Sequence, residues 1–556
     1  MRPNWEERGD AGWPAASLLP WVDAAKRWLA NTFWLSLVAP AVILFLPLPL
    51  LGPGVLVLWP VLALSGLAVF LAVRTYVKRA LSQPLQGTVG FFHPNADGGG
   101  GGERVLWCAV AAIQQADPNL QIIIYSGEKL SAVDLAQHTG AKFNLQVQPT
   151  FQVVHLKNVG LLDPLRYPRF TLIGQAVGSV RLAYQALSTV VPEVFVDSCG
   201  WAFVYPLARM AGCKVVAYVH YPTVSTDMLR RVRDRSAAFN NNQQVAASAA
   251  KSLVKLVYYY VFAWLYGMAG GFANAVMVNS SWTQAHIRQL WWRIPPPRRV
   301  FPPCDTTALQ ALPLDRKLKR LYLVSVAQFR PEKNQQLQLR AFALARRQAQ
   351  SHPTDASEAV LAARLVLVGG CRDAGEEARL QELRALCVAL GIQDHVDFVT
   401  NASFQQLREL LAGAVGGLHT MLDEHFGISI VEYMAAGVVP IAHDSGGPRM
   451  DIVKAEVGPS GVQVTGYRCS TQEAYADAIA EVLSMGQVSR LKIAAAARRR
   501  AAQFSDERFQ QGFLESLQLI LPSHSLLTSD NYSDWVQVQR ANGGHPRSPT
   551  ATDLAS

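Results

Sequence analysis

The sequence predicts an α/β protein with two doubly wound parallel-sheet domains facing across a cleft, behind an N-terminal membrane segment. Three observations carry this. Short β-forming runs alternate with helix-forming stretches in two successive series, over residues 87–303 and 304–521. The rhythm breaks between them, at VFPPCD over 300–305. And residues 28–73 contain no charged side chain.

The elements follow in chain order. Residues 1–28 form an N-terminal tail. The uncharged run is long enough for two passes of about 20 residues each. It is interrupted by PLPLLGPG at 47–54, which is turn chemistry. Lys26 and Arg27 precede it and Arg74, Lys78 and Arg79 follow it, so both flanks belong on the cytosolic side. A helical hairpin over 29–80 fits this best; a single span with a lumenal N-terminus is the alternative. In the first domain, strands are expected at 88–92, 121–125, 194–196 and 215–219; in the second, at 321–326, 365–368, 396–399 and 439–442. Residues 254–271 are apolar and aromatic around most of a helix. They read either as a buried helix or as one dipping into a bilayer surface. After residue 522 the composition turns to Ser, Asn, Pro and Gly, the signature of a disordered tail.

Composition bounds the function. With 556 residues, 50% hydrophobic and 17% charged, the chain has the means to build two or three packed cores. A formal net charge of +10 favours anionic partners: a phosphorylated substrate, a membrane surface or nucleic acid. Nucleic acid is not expected, because the Lys and Arg residues are scattered and no zinc finger or RNA-binding aromatic signature occurs. The seven cysteines form no CxxC pair and read as free thiols in a reducing compartment. The sequons at Asn279, Asn401 and Asn531 are then incidental.

Four motifs carry chemistry. A glycine block at 98–102, followed by Glu103-Arg104, comes just after the first strand and opens a helix. Glycines there let backbone N–H groups reach a diphosphate, and Gly100, Gly101 and Gly102 are the candidates. His220 directly follows the strand at 215–219, where it can meet a sugar hydroxyl. Arg330 and Lys333 follow the first strand of the second domain, three residues apart at a helix start, so both are expected to reach one anion. No D-x-D run is present to hold Mg²⁺ or Mn²⁺, so neither metal nor cofactor is expected. The fourth motif is Glu424-His-Phe-Gly-Ile-Ser-Ile-Val-Glu432, two carboxylates eight apart around a helix start at Gly427. Glu432 falls in an otherwise apolar helix, where a carboxylate needs a partner, and a ligand is a natural one. Together the motifs read as a clamp for a diphosphate sugar.

At these residues the chain resembles the retaining GT-B glycosyltransferases of family 4, which carry this E-x7-E motif. Within them it is similar to the GDP-mannose:dolichol-linked-oligosaccharide α-1,2-mannosyltransferases of N-glycan assembly. FFHPNADGGGGGERVLWCAV, YVHYPTVSTDML, VMVNSSWT, QFRPEKN and EHFGISIVEYMAAG with HDSGGP carry the resemblance, which spans about residues 88–520. It implies two Rossmann-like domains, a GDP-mannose donor and a dolichol-diphosphate-linked trimannosyl acceptor that receives its fourth and fifth mannoses with retention. It also implies an endoplasmic reticulum membrane location with the catalytic domains facing the cytosol, and other early mannosyltransferases as candidate partners. By the resemblance, Arg330 and Lys333 meet the diphosphate, Glu424 the mannose hydroxyls and Glu432 the ribose. Phe426, Gly427 and Ile428 lie along the donor, and His220 sits by mannose and acceptor. A different donor or lipid acceptor, or a non-catalytic scaffold on the same fold, are the competing readings. The glycine block is one residue longer than the family pattern, which leaves open which glycines touch the donor.

Overall fold

The computed structural model describes residues 54–225, 228, 249–292, 294–315, 321–371, 373–458, 461–521 and 526. The chain divides into two units, Met1–Gln83 and Pro84–Ser556. The described part of the first contains a single long helix, Gly54–Ala80. Lys78 and Arg79 occupy its last turn, where the negative end of the helix dipole favours cations. Leu64, Leu67 and Leu71 are exposed on it. Among the described residues no helix is long and apolar enough to cross a membrane. The tail at 1–28 and the expected hairpin's first half, 29–53, lie outside the described residues, as does nearly all of 522–556.

The second unit holds two parallel sheets. The first comprises β1 (Leu85–Phe92), β2 (Gln121–Ser126), β3 (Gln152–His155), β4 (Pro192–Asp197), β5 (Lys214–Val219), β6 (Ala275–Val278) and β7 (Arg298–Arg299), in the order β3-β2-β1-β4-β5-β6-β7. Helix α1 (Gly101–Ala116) follows β1, and α2 (Ala249–Gly270) precedes β6. The second sheet begins with β8 (Tyr322–Val326), which leads into α3 (Gln335–Ser351). It continues through β9 (Arg364–Gly369), β10 (Val396–Thr400) and β11 (Gly416–His419) to α4 (Ile428–Ala436) and β12 (Val439–His443). A small antiparallel pair, β13 (Glu456–Gly458) and β14 (Gly461–Gln463), precedes β15 (Tyr467–Cys469). The order is β10-β9-β8-β11-β12-β15, again parallel.

Strands buried on both faces read as continuous apolar runs, and Val194, Phe195 and Val196 of β4 are wholly buried. The strand order reverses between β1 and β4, and again between β8 and β11. Loops leaving the carboxyl ends diverge at such points and leave a crevice.

The last helix corrects the expected domain assignment. α5 (Asp506–Gln518), counted with 304–521, packs instead into the core of the first lobe. The cause is a stripe of Phe509, Phe513 and Leu517, spaced four apart, against β1 and α1. Phe513 stacks on Phe91 at 6.3 Å between ring centroids. Arg104 at the start of α1 donates to Asp506 at 2.6 Å. The return crossing runs beside the outgoing one: Cys304 N–H donates to the Phe504 carbonyl at 3.0 Å.

Helix α2 satisfies neither reading of residues 254–271 over its whole length. Phe262, Leu265 and Tyr266 are buried, while Val257, Tyr260 and Val261 are exposed on the opposite face. All seven cysteines are free thiols, as the spacing suggested.

Candidate active site

A cavity of about 640 Å³ opens at the carboxyl ends of both sheets. From the first lobe, Gly100, Gly101, Gly102 and His220 reach its wall. From the second come Lys333, Glu424, Phe426, Gly427 and Ile428. Nine of the eleven expected residues therefore converge, although they span three hundred positions of sequence.

On the second-lobe side the helix start is built as the sequence suggests. Gly427 caps α4 at φ +111°, a conformation that favours glycine, and no side chain caps the first turn, where Ile430 N–H turns back to the Gly427 carbonyl and the N–H groups of Ile428 and Ser429 are left for a ligand. Glu424 stands in the loop before it. Lys333 Nζ donates to its Oε2 at 2.6 Å, His419 Nε2 lies 3.1 Å from the same oxygen, and the His425 N–H donates to Oε1 at 3.1 Å. Burial alone would push this carboxyl up, but Lys333, His419 and His425 outweigh it and hold it well below the usual carboxylate range. Glu424 is thus charged at neutral pH and Lys333 faces it. Among the described residues lining the cavity, Lys333 is the only Lys or Arg.

The loop is held from behind by a second glycine pair. Gly447 N–H donates to the Glu424 carbonyl at 2.7 Å. Gly446 sits at φ +58°, and a Cβ there would lie 2.3 Å from that same carbonyl oxygen. The HDSGGP stretch is therefore the backing of the Glu424 loop, a role its sequence alone did not disclose.

Two expected residues do not reach the wall. Arg330 was expected to join Lys333 on one anion from the first turn of a helix. Its backbone is extended instead, at φ −126°, and only Pro331–Lys333 turn as a short 3₁₀ segment. Its guanidinium is engaged by Glu376, with Nε donating to Oε1 at 2.9 Å. Glu432 lies one helical turn, about 5.4 Å, beyond Ile428 in α4. It is partly buried and has no hydrogen-bond partner among the described residues. Burial raises its carboxyl above the ordinary value, Arg104 opposes that and Asp305 adds to it.

On the first-lobe side, His220 Nε2–H donates to the Ser198 carbonyl at 3.0 Å, which leaves Nδ1 with its lone pair. Burial, then the neighbouring His93, lowers this imidazole to about 4, so it is neutral at physiological pH. Tyr221 packs on His425 of the second lobe at 4.1 Å between ring centroids, and Trp282 lies 5.5 Å from the same ring. Ser281 adds a polar tie: its N–H and hydroxyl donate to Asp451 at 2.7 and 2.6 Å. Also on the wall, and not among the residues expected there from the sequence, are Gln328, Asn401 and His425. Asn401 is locked to backbone: its side chain accepts from Cys371 N–H at 2.9 Å and donates to the Cys371 carbonyl at 3.1 Å. Among the described residues no group of three or more His, Cys, Asp or Glu side chains is placed to hold a metal ion.

Residues 86–291 match the family described as ALG11 mannosyltransferase N-terminus, and residues 312–500 match glycosyl transferases group 1. The chain is 44% identical over 440 residues to a Mus musculus protein named GDP-Man:Man(3)GlcNAc(2)-PP-Dol alpha-1,2-mannosyltransferase, covering 78% of this chain and 87% of the relative. This chain belongs to the ALG11 mannosyltransferase family. Family members carrying the same name in Homo sapiens (43% over 439 residues, 78% of this chain and 87% of theirs) and Dictyostelium discoideum (40% over 446 residues, 78% and 85%) are similar to it over the same extent. Two solved structures speak for the fold alone. One is a sucrose-phosphate synthase from Thermosynechococcus elongatus, with TM-score 0.52, 18% identity, and coverage of 78% of this chain and 99% of that one. The other is an alpha,alpha-trehalose 6-phosphate synthase from Burkholderia multivorans, with TM-score 0.54, 12% identity, and coverage of 80% and 100%. The ALG11-family chain thus has a GT-B-like fold of two Rossmann-like domains.

Proposed function

We propose that this protein is a retaining α-1,2-mannosyltransferase. It moves mannose from GDP-mannose to trimannosyl-chitobiosyl-diphosphate-dolichol and adds the fourth and fifth mannoses at the cytosolic face of the endoplasmic reticulum membrane. The observation that carries the reading is the Lys333–Glu424 pair, set beside the Gly427 helix start and opposite the glycine loop, in a chain whose relatives of that name match it over 78% of its length.

The residues take these roles. The donor diphosphate lies on the N–H groups at the start of α4, where the helix dipole favours an anion, and on Lys333. Glu424 holds the mannose hydroxyls, and its charge is kept available by Lys333 and His419. Glu432, one turn behind the wall and without a hydrogen-bond partner among the described residues, is the carboxylate that the family resemblance assigns to the ribose hydroxyls. The acceptor hydroxyl attacks the anomeric carbon on the face the diphosphate leaves. The new carbon–oxygen bond forms as the bond to phosphate breaks, and the hydroxyl proton passes to a departing phosphate oxygen. An α-linked donor then yields an α-linked product. His220, neutral with a bare Nδ1, orients hydroxyls at the reacting side. Positioning and a fixed cation do the work, and no metal is required of this site.

The membrane part of the proposal has its own support. Helix α2 exposes Val257, Tyr260 and Val261, and Phe170, itself exposed, meets Tyr258 of α2 at 5.5 Å between ring centroids. Leu64, Leu67 and Leu71 are exposed on the helix Gly54–Ala80. Apolar faces of this kind suit a lipid surface that presents a dolichol-linked acceptor.

The test is to incubate detergent-solubilised protein with GDP-mannose and the trimannosyl lipid-linked acceptor in the presence of a chelator, and to weigh the product. A gain of two hexoses, both removed by an α-1,2-mannosidase, is expected. Binding of GDP-mannose without any gain overturns the acceptor assignment, and failure to bind it overturns the donor.

A further inference from the structure

Five glycines precede Glu103, and backbone torsion does not account for them, since none of residues 98–102 has a left-handed φ. Space does. A Cβ at Gly98 would lie 2.8 Å from the Glu103 carboxyl carbon, and one at Gly100 would lie 2.7 Å from its Oε2. At Gly101 it would lie 2.6 Å from Ile428 Cδ1 of the second lobe. At Gly102 its nearest neighbour would be His220 Nε2, at an ordinary 3.8 Å. At Gly99 nothing lies within 4 Å. Two of the five glycines therefore clear room for one side chain.

That side chain folds back over its own loop. Gly100 N–H donates to Glu103 Oε2 at 2.8 Å. Glu103 Oε1 lies 3.6 Å from His93 Nε2, just beyond the end of β1. His93 is itself 2% exposed, and its Nδ1 lies 2.8 Å from the Ser198 hydroxyl, past the end of β4. The carboxylate thus ties the loop to the two strands that flank the first lobe's crevice. Burial would raise the Glu103 carboxyl, but His93 and the Gly100 N–H outweigh it and hold it below the usual range, so it is charged at neutral pH. Glu103 does not reach the cavity wall, whereas Gly100, Gly101 and Gly102 do.

We propose that Glu103 is a positioning residue: a carboxylate latch anchored on His93 that fixes the glycine loop in the shape that brings Gly101 and Gly102 to the cleft wall. It acts through the loop and not on the substrate. The loop meets the donor opposite the start of α4, on the reacting side, so loss of the latch falls on kcat more than on KM for GDP-mannose. Gly100→Ala reproduces the loss, because its methyl displaces the flexible carboxylate.

The experiment compares Glu103→Ala, Gly100→Ala, the double variant and Gly99→Ala, with two readouts. Hydrogen exchange of the peptide containing residues 98–103 reads the loop, and mannosyl transfer reads its consequence. A charge-assisted hydrogen bond to backbone is worth about tenfold, so Glu103→Ala and Gly100→Ala are each expected to speed exchange and lower kcat by about that factor. The double variant is no worse than Glu103→Ala alone, because the atoms the methyl would strike are gone. Gly99→Ala behaves as wild type. Glu103→Gln keeps an acceptor for Gly100 N–H and restores the slow exchange; if Glu103→Ala does not fold, Gly100→Ala against Gly99→Ala carries the comparison, and wild-type exchange in Gly100→Ala then overturns the latch. Wild-type exchange in Glu103→Ala, or losses that multiply in the double variant, overturn the latch. The transfer readout rests on the mannosyltransferase reading above and the exchange readout does not, so a wild-type protein that transfers nothing refutes that reading while exchange still decides the latch.

Discussion

In a Lys333→Ala variant, Glu424 keeps only His419 and the His425 N–H as partners. The lost contact is short, 2.6 Å, and both side chains are largely enclosed, at 21% and 11% exposure. Breaking a buried pair from one side costs about 3–5 kcal/mol when nothing else compensates. His419 remains, which brings the expected loss of stability to about 2–3 kcal/mol, or roughly 2–3 °C in Tm for a unit of this size. The catalytic loss is larger. A cation about 4 Å from a developing phosphate charge is worth about 4 kcal/mol at an effective dielectric near 20. That corresponds to about a thousandfold in kcat. The two effects separate in Lys333→Ala/Glu424→Gln, where a neutral amide needs no counter-charge: Tm returns towards wild type while transfer stays abolished. Calorimetry and the mannosyl-transfer assay read both. Turnover in Lys333→Ala above about a tenth of wild type, against the thousandfold expected, refutes the role of this cation. A double variant no more stable than the single one refutes the account of the pair.

Arg330 is already held by Glu376, so Arg330→Ala is expected to lower turnover by about tenfold, well short of the Lys333 effect; equal losses in a side-by-side transfer assay refute the distinction. His220 titrates near 4 in the folded chain, against about 6.5 when unfolded. Between those values the unfolded chain takes a proton that the folded one declines, so stability falls as pH falls and the loss is complete near pH 4. It reaches about 3 kcal/mol before discounting for partial solvent access. Chemical denaturation at pH 7 and pH 5 should show a shallower decline in His220→Gln, and an unchanged decline refutes the assignment. Phe513→Ala empties a 1%-exposed position and is expected to cost about 3–5 kcal/mol, with lost hydrogen-exchange protection in β1; a loss confined to the second lobe refutes the packing.

Much of this architecture was legible because the central strands are apolar on both faces and the motif-bearing loops follow them. The expected strands at 194–196 and 439–442 both appear, the first three residues longer and the second one residue longer. β11 was not legible. Its Gly416-Gly417 reads as a turn, yet Gly417 is there because a Cβ would lie 2.3 Å from the Tyr433 ring of α4. That contact is made by chain sixteen residues further on, and no local pattern reports it. β3 and β6, four residues each, were too short to stand out. In the site, spacing located Lys333, Glu424 and the Gly427 helix start. It misplaced Arg330, because an extended residue before a 3₁₀ turn looks like a helix start in sequence. It also took the glycine block as open backbone, where the structure gives two of its members to a side chain.

The return of α5 to the first lobe bears on how the protein is made. A ribosome delivers the first lobe's strands hundreds of residues before Phe509, Phe513 and Leu517, the side chains that finish its core. Until they emerge, the apolar groove beside β1 and α1 is open, and the Arg104 guanidinium lacks Asp506. The second lobe, complete by Phe504, is free of this debt, so the order of completion runs against the order of synthesis. A premature stop just before Asp506 would spare nearly every residue of the cleft and still leave the first lobe unfinished. Such a nascent chain presents a sticky surface to chaperones until residues 506–518 emerge, and completion of the first lobe waits on that one helix.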